Sequence, residues 1–341
     1  MVIGDCDPQY AGLRYLARRF ELNMEQRFWL AFLYSASYCL PTTFFVYNEF
    51  PDFENVDVDR MDRWWFKYKS KLLFQTDRRW IKQNDAFVKM VASYIAFMDG
   101  ASRRFPKQEG SLCNQAVNGS QSNFFFGNAQ KGSDPYYNYQ RLYLASSNLY
   151  YFGQYSLFLF LEAIQKLTDL PIRPNTIDLV EAHSCRQGLY YILGWDYLVN
   201  KSGAAKKEVL QKELKWVLKR YLTNLMEILV KKYPSLDVNY WNIETVLCGF
   251  KKLFWESRYL TYYIDRLQSE IQNMESGIRE GVDWSVLWDF RREYFDNSLL
   301  GELRGRLAAF DKAKLYYLTR QGKLDDFKGL PVVKDDILRR T

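Results

Sequence analysis

Histidine is almost absent from this chain: His183 is the only one among 341 residues. A Ser-His-Asp or Cys-His hydrolase would have to be built on that single residue. A metal site made of several imidazoles is impossible. A lone histidine in a helical segment reads first as a structural group rather than a catalyst. Cysteine is scarce too. The five (Cys6, Cys39, Cys113, Cys185 and Cys248) are odd in number and show no CxxC spacing. They read as reduced thiols of a cytosolic protein, not as a disulfide framework or a zinc site. Walker A, GxGxxG, HExxH, GxSxG and HxE…PCxxC patterns are all missing. This disfavours P-loop nucleotide hydrolysis, Rossmann cofactor use and zinc hydrolysis.

Long apolar runs are lacking as well. The most apolar stretch, Leu142 to Ile164, is broken by Ser146, Ser147, Asn148, Gly153, Gln154 and Glu162. It is too polar for a membrane span and reads as core helix. The opening MVIGDCDPQY has no apolar h-region, so no secretory leader is expected. No segment shows alternating strands joined by hairpin turns, and no repeat period stands out. The expected fold is therefore all-α, a multi-helix globular fold. We expect a single large helical domain over 1–341, with a loop insertion near 100–135 and a mobile tail near 330–341.

What the chain has in quantity is aromatic surface, 18% of residues, with 26 Tyr, 24 Phe and 10 Trp. Tyr and Trp pair an apolar body with a polar tip and suit clefts as well as cores. The net charge of +7 fits a polyanionic partner without requiring one. Arg14, Arg18 and Arg19 suggest a basic surface helix near the start. Asn23 and Gln26 form a capping-box pattern for a helix over 23–40, with Pro41 expected to stop it and a second run over 42–48. The polar QTDRRWIKQ at 75–83 holds Arg78, Arg79 and Lys82, either for one phosphate-rich ligand or as a solvated, salt-bridged turn. Two helices with small and polar interruptions are expected over 136–168. Asn175 or Thr176 is a candidate cap for the helix carrying His183, Cys185 and Arg186. A basic amphipathic helix over 201–233 presents either a solvated face or a DNA-backbone surface.

The stretch 241–271 reads as one long amphipathic helix. Val246, Phe250, Leu253, Leu260, Ile264, Leu267 and Ile271 share a face that should be buried. Beside it run Glu244, Cys248, Lys251, Trp255, Arg258, Tyr262 and Asp265. That mixture suits a polar cleft for a charged, ring-containing ligand, or a buried helix whose charges pair with its neighbours. Residues 244 and 265 lie about 31 Å apart along a straight helix, so they cannot serve one reacting atom. The Lys251–Arg266 half, with QTDRR folded against it, is the better candidate.

The chain resembles the phage α-glutamyl/putrescinyl thymine pyrophosphorylase group, the amino acid:DNA transferases. The resemblance rests on WLAFLYSASYCLPTTFFVYN at 29–48, LLFQTDRRWIK at 72–82, YFGQYSLFLFLEAI at 151–164, SCRQGLYYILGWD at 184–196 and NIETVLCGFKKLFWESRYLTYYIDR at 242–266. It implies a phage-encoded enzyme of the host cytoplasm acting on DNA in which 5-hydroxymethyluracil replaces thymine. A separate kinase makes the 5-pyrophosphoryloxymethyl base. The transferase then displaces pyrophosphate with an amino acid or a polyamine. The group has been related to helical DNA glycosylases. This chain lacks their glycine-rich LxGVGxxxA hairpin, which counts against base excision and leaves the closeness of the fold relation open.

Such chemistry needs a flipped base stacked on aromatics, for which Trp255, Tyr259, Tyr262 and Tyr263 are candidates. It needs cations for the leaving diphosphate: Arg78, Arg79, Lys82, Lys251 and Lys252. A carboxylate must keep the attacking amine neutral: Asp77, Glu244 or Asp265. An amino acid's own carboxylate needs an arginine: Arg186, Arg258 or Arg266. No metal is required if the cations neutralise the diphosphate, although Mg²⁺ is compatible as an assisting ion. The competing readings are a glycosylase-like or kinase-associated helical enzyme acting on modified bases, and a non-enzymatic DNA-binding protein.

Overall fold

The computed structural model describes residues 7–75, 78–100, 120–180, 182–195, 212–235, 237–253 and 262–295. They form fourteen α-helices and one short 3-10 turn, with no strand among the described residues. The chain is all-α, as its periodicity predicts. No helix among the described residues is long and apolar enough to cross a membrane. The helices fall into two compact units, one containing 7–175 and 264–295, the other containing 176–263.

The first unit is built on helix α2, Met24–Ser37, buried continuously from Phe28 to Ser37. A helix apolar all round must be central, because it has no face to offer water. Its start follows the sequence: Asn23 and Gln26 exchange hydrogen bonds at 3.0 Å in a capping box. Its end does not. Tyr38 adopts a left-handed conformation, φ 52°, and closes the helix. Pro41 instead lies in the first turn of α3, Leu40–Glu49. A proline there sacrifices no helical hydrogen bond, so it starts a helix as readily as it ends one.

Helix α9, Gln154–Thr168, packs along α2 and is flanked by α8, Pro135–Ser146. The expected helix pair over 136–168 is thus present. Helix α1, Pro8–Arg19, is not the surface helix its arginines suggest. Tyr10, Leu13, Leu16 and Ala17 bury it against α3 and α9, and only its last two arginines are exposed. Gly12 is part of the reason. A Cβ there would lie 2.1 Å from Leu40 Cδ2, so the glycine lets α3 approach closely. The 100–135 segment is not all loop either. Residues 101–119 lie outside the described residues, but α7 spans Gln121–Asn128 with Phe124 and Phe125 buried. Its first turn is held by Glu25, whose carboxylate accepts from Ser120 Oγ, Ser122 N, Gln121 N and Gln121 Nε2 at 2.8–3.1 Å. Burial works against that charge, but the hydrogen bonds outweigh it and hold the Glu25 pKa below the ordinary carboxylate value. Helix α4, Val58–Tyr68, packs on α6, Phe87–Met98, while the short α5, Arg79–Gln83, lies between them in sequence.

The second unit holds α10, His183–Ile192, α11, Lys212–Lys232, and α12, Tyr240–Leu253. Neither Asn175 nor Thr176 caps α10. Its cap position is Ala182, with no side-chain hydrogen bond. Helices α10 and α12 cross closely at Gly188, where an added Cβ would lie 2.1 Å from the Leu247 carbonyl oxygen. This contact fixes which face of α12 is inside. Trp241, Ile243, Leu247, Glu244 and Lys251 are buried, whereas Val246 is 44% exposed. Val246, expected on the buried face, is therefore turned outward, and Phe250 of the same face is only half-buried. On α13, Tyr262–Gly277, Leu267 and Ile271 are buried as expected. Residues 254–261 lie outside the described residues, and α12 and most of α13 belong to different units. In α11, Leu218, Leu222 and Leu225 are buried while Lys215, Lys219 and Arg220 are exposed.

Candidate active site

The left-handed turn at Tyr38 brings the end of α2 into a buried polar network of the first unit. Ser37 O accepts from Gln75 N at 3.0 Å, tying the 72–75 segment to the turn. Gln75 Nε2 then donates to Glu270 Oε1 at 2.6 Å. Arg266, one turn earlier on α13, donates Nε to the same oxygen at 2.6 Å. Cys39 Sγ lies 3.7 Å from Glu270 Oε2. Beyond Gln75, Arg78 is 3% exposed, donates Nη1 to Ser156 Oγ at 2.6 Å and lies over the Phe152 ring at 5.6 Å. On the other side of the turn the Tyr38, Tyr34 and Tyr10 rings follow one another at 5.1 and 5.4 Å, and Tyr10 Oη donates to Glu162 Oε2 at 2.9 Å.

The electrostatics of this network are asymmetric. Burial lifts the Glu270 pKa above the ordinary carboxylate value even though Arg266 and Cys39 pull it down. Burial also opposes the charge of Arg266, but Glu270 and Asp7 more than compensate and hold its pKa up. The Cys39 thiol is pushed well up by burial first and by the Glu270 charge second, so it is not a poised nucleophile. What remains is a carboxylate able to take up a proton more readily than an exposed one, beside a fixed guanidinium. Arg266 Nη2 is buried and has no hydrogen-bond partner, which leaves a donor for an anionic group.

The second unit holds another polar group. Lys251, 5% exposed on α12, donates Nζ to Ser184 Oγ at 2.9 Å in the first turn of α10. Arg186 is 2% exposed: Nη1 donates to Leu179 O at 2.8 Å and Nη2 to His183 Nδ1 at 2.8 Å, while its buried Nε has no hydrogen-bond partner. His183 is thereby held as a structural partner. Glu244, 4% exposed, lies close enough to Cys185 to add to the effect of burial in raising that thiol.

The expected site residues thus separate. Gln75 of QTDRR and Arg266 meet on Glu270, while Lys251, Glu244 and Arg186 belong to the other unit. Arg79 is exposed, and Lys82 turns its ammonium onto the Ser70 and Leu72 carbonyls at 3.2 and 2.7 Å. Asp77, Trp255, Arg258 and Tyr259 lie outside the described residues, as do the side chains of Lys252, Tyr262 and Asp265. Glu270, Ser184 and Ser156 were not singled out from sequence. Glu270 had a signal: it stands four residues after Arg266, between Leu267 and Ile271 of the apolar stripe, where a carboxylate needs a partner.

The buried Arg266–Glu270–Gln75 network joins segments far apart in sequence and sets a carboxylate beside a guanidinium, groups able to hold a proton and an anion. The chain belongs to the amino acid:DNA transferase family, whose model matches residues 3–259. It is therefore a transferase whose partners are DNA and an amino acid. This overturns the non-enzymatic reading. No curated protein and no solved structure matches the chain.

Proposed function

We propose that this transferase joins the amine of an amino acid or polyamine to the methylene carbon of 5-pyrophosphoryloxymethyluracil in DNA. The C–N bond forms as the C–O bond breaks, pyrophosphate leaves with the C–O electron pair, and the nitrogen gives up a proton to a carboxylate. The observation that carries the reading is the Glu270–Arg266–Gln75 network. A buried carboxylate with a raised pKa suits proton uptake from the amine, and the adjacent guanidinium with an open Nη suits an anionic substrate group. Three of the segments that carry the family resemblance contribute to the network or its continuation: Ser37–Cys39, Gln75–Arg78 and Ser156. A fourth ends on Arg266. Asp77 and Asp265 are immediate sequence neighbours of this network and stay candidate bases within the proposal. Lys251 with Ser184 is the proposed contact for a second anionic group. A phage origin and action on a flipped base are part of the same reading.

The test is direct. DNA carrying 5-pyrophosphoryloxymethyluracil is incubated with the protein and a panel of amino acids and polyamines, then digested to nucleosides. We expect stoichiometric pyrophosphate release and one new aminated nucleoside by mass. Amino-acid incorporation without pyrophosphate release would overturn the leaving group, and no product with any amine would overturn the reaction.

A further inference from the structure

The turn between α8 and α9 carries three aromatic residues in succession, Tyr150, Tyr151 and Phe152, and they do different things. Phe152 is 6% exposed and packs on Phe32 and Phe160, so the core needs only that ring. Tyr150 is 43% exposed, and Tyr151 is half-buried. Tyr151 has φ 63°, a left-handed conformation that a bulky aromatic residue adopts only at a cost. The Tyr150 and Tyr151 ring centroids are 3.7 Å apart, and the half-buried Trp80 of α5 meets Tyr151 edge-on at 4.7 Å. Beside Trp80 stands Arg79, exposed and without a hydrogen bond or ion pair among the described residues. Neither α5 nor the 147–154 turn contains a carboxylate.

We propose that Trp80, Tyr150 and Tyr151, with Arg79, form a stacking platform for an unpaired stretch of the DNA strand. Aromatic faces accept any base, and the unpaired guanidinium suits the phosphate that follows it. The positive charge of Arg79 disfavours an ammonium-bearing ligand, which an aromatic cluster alone would also attract. The strained backbone at Tyr151 stands where Tyr150 is exposed and Tyr151 half-buried, although the core takes only Phe152. The inference rests on DNA being the partner of this family, and not on the identity of the leaving group.

The experiment measures binding of an unmodified, labelled single-stranded oligothymidylate by fluorescence anisotropy across a salt series. No amine or activated base is present, so the result is separate from the pyrophosphate reaction. We expect Trp80→Ala and Tyr150→Ala each to raise Kd roughly tenfold, with Trp80→Phe staying within about threefold of the wild type. Arg79→Ala should weaken binding and reduce the slope of log K against log salt by about 0.7. Wild-type affinity in both alanine variants, or an equal loss in Trp80→Ala and Trp80→Phe, overturns the platform. Should Trp80→Ala fail to fold by circular dichroism, Tyr150→Ala decides the matter, since that residue is 43% exposed and outside the core. Loss of strand binding with pyrophosphate chemistry intact on short substrates supports the platform alone. Full strand binding by both alanine variants overturns the platform whatever the chemistry, whereas absence of pyrophosphate release by the wild-type protein overturns only the leaving group.

Discussion

Gln75 and Glu270, 195 residues apart in sequence, share a 2.6 Å hydrogen bond in the interior of the first unit. The same Glu270 oxygen receives Arg266 at 2.6 Å, so one buried carboxylate joins the QTDRR segment to α13. Removing either charge strands the other. Glu270→Ala should destabilise the unit by about 3 kcal/mol, since it leaves a buried guanidinium without its counter-charge. The double substitution Arg266→Met with Glu270→Leu should recover stability to within about 1 kcal/mol of the wild type while abolishing amino-acid transfer. Urea denaturation beside a transfer assay checks both halves. A double variant that keeps its activity would remove the network from the chemistry.

Two carboxylates, the buried Glu270 and the half-buried Glu25, pull stability in opposite directions with pH. The pKa of Glu270 is raised in the folded state. Its contribution is therefore fully present below the unfolded carboxylate value and is lost as pH rises through the folded one. The pKa of Glu25 is lowered. Its contribution is present above the unfolded value and is lost as pH falls through the folded one. Thermal melts from acid to neutral pH should show the cost of Glu270→Gln shrinking toward neutral pH. Glu25→Gln should be most damaging at neutral pH and least so in acid.

Gly188→Ala is expected to be among the most damaging small substitutions in the second unit. The methyl group would sit 2.1 Å from a backbone oxygen that cannot rotate away. Separation of α10 from α12 should cost about 3 kcal/mol, at the upper end of overpacking effects. Gly249→Ala, whose Cβ meets nothing within 4 Å, is the control and should be stabilising or neutral in the same melt.

Ser184→Ala and Lys251→Met should separate binding from folding at the other polar group. If the pair holds an anionic substrate group, Lys251→Met lowers kcat/KM about a hundredfold and Ser184→Ala about tenfold. Substrate titrations of kcat and KM on both variants give the answer. Equal, small losses matched by equal losses of stability would assign the pair to the core.

The fold was largely legible because its signals are local. The Asn23–Gln26 capping box, the apolar run of α2 and the small-residue break between α8 and α9 each act within a few residues. Boundaries set by a single backbone conformation were not. Nothing in the sequence distinguishes Pro41 as the last word of one helix from Pro41 in the first turn of the next. That depends on Tyr38 entering the left-handed region. The polar cluster at 75–83 was visible as composition, but the different fates of Arg78, Arg79 and Lys82 were not, because burial is decided by what packs above each residue.

The sequence by itself determined the all-α class, the lack of P-loop, Rossmann and zinc-hydrolase motifs and the segments that carry the family resemblance. These follow from composition, periodicity and short motifs, which need no partner to be read. Only the tertiary structure decided that Glu270 is the carboxylate on which Gln75 and Arg266 meet, and that Glu244 and Lys251 face inward while Val246 faces out. Both outcomes depend on helix packing. Gly188 lets α10 press against the Leu247 carbonyl and so sets the rotation of α12. The Ser37–Gln75 backbone hydrogen bond sets which segment reaches α13. A helical stripe names two candidate faces, and the neighbouring helix selects the one that is buried.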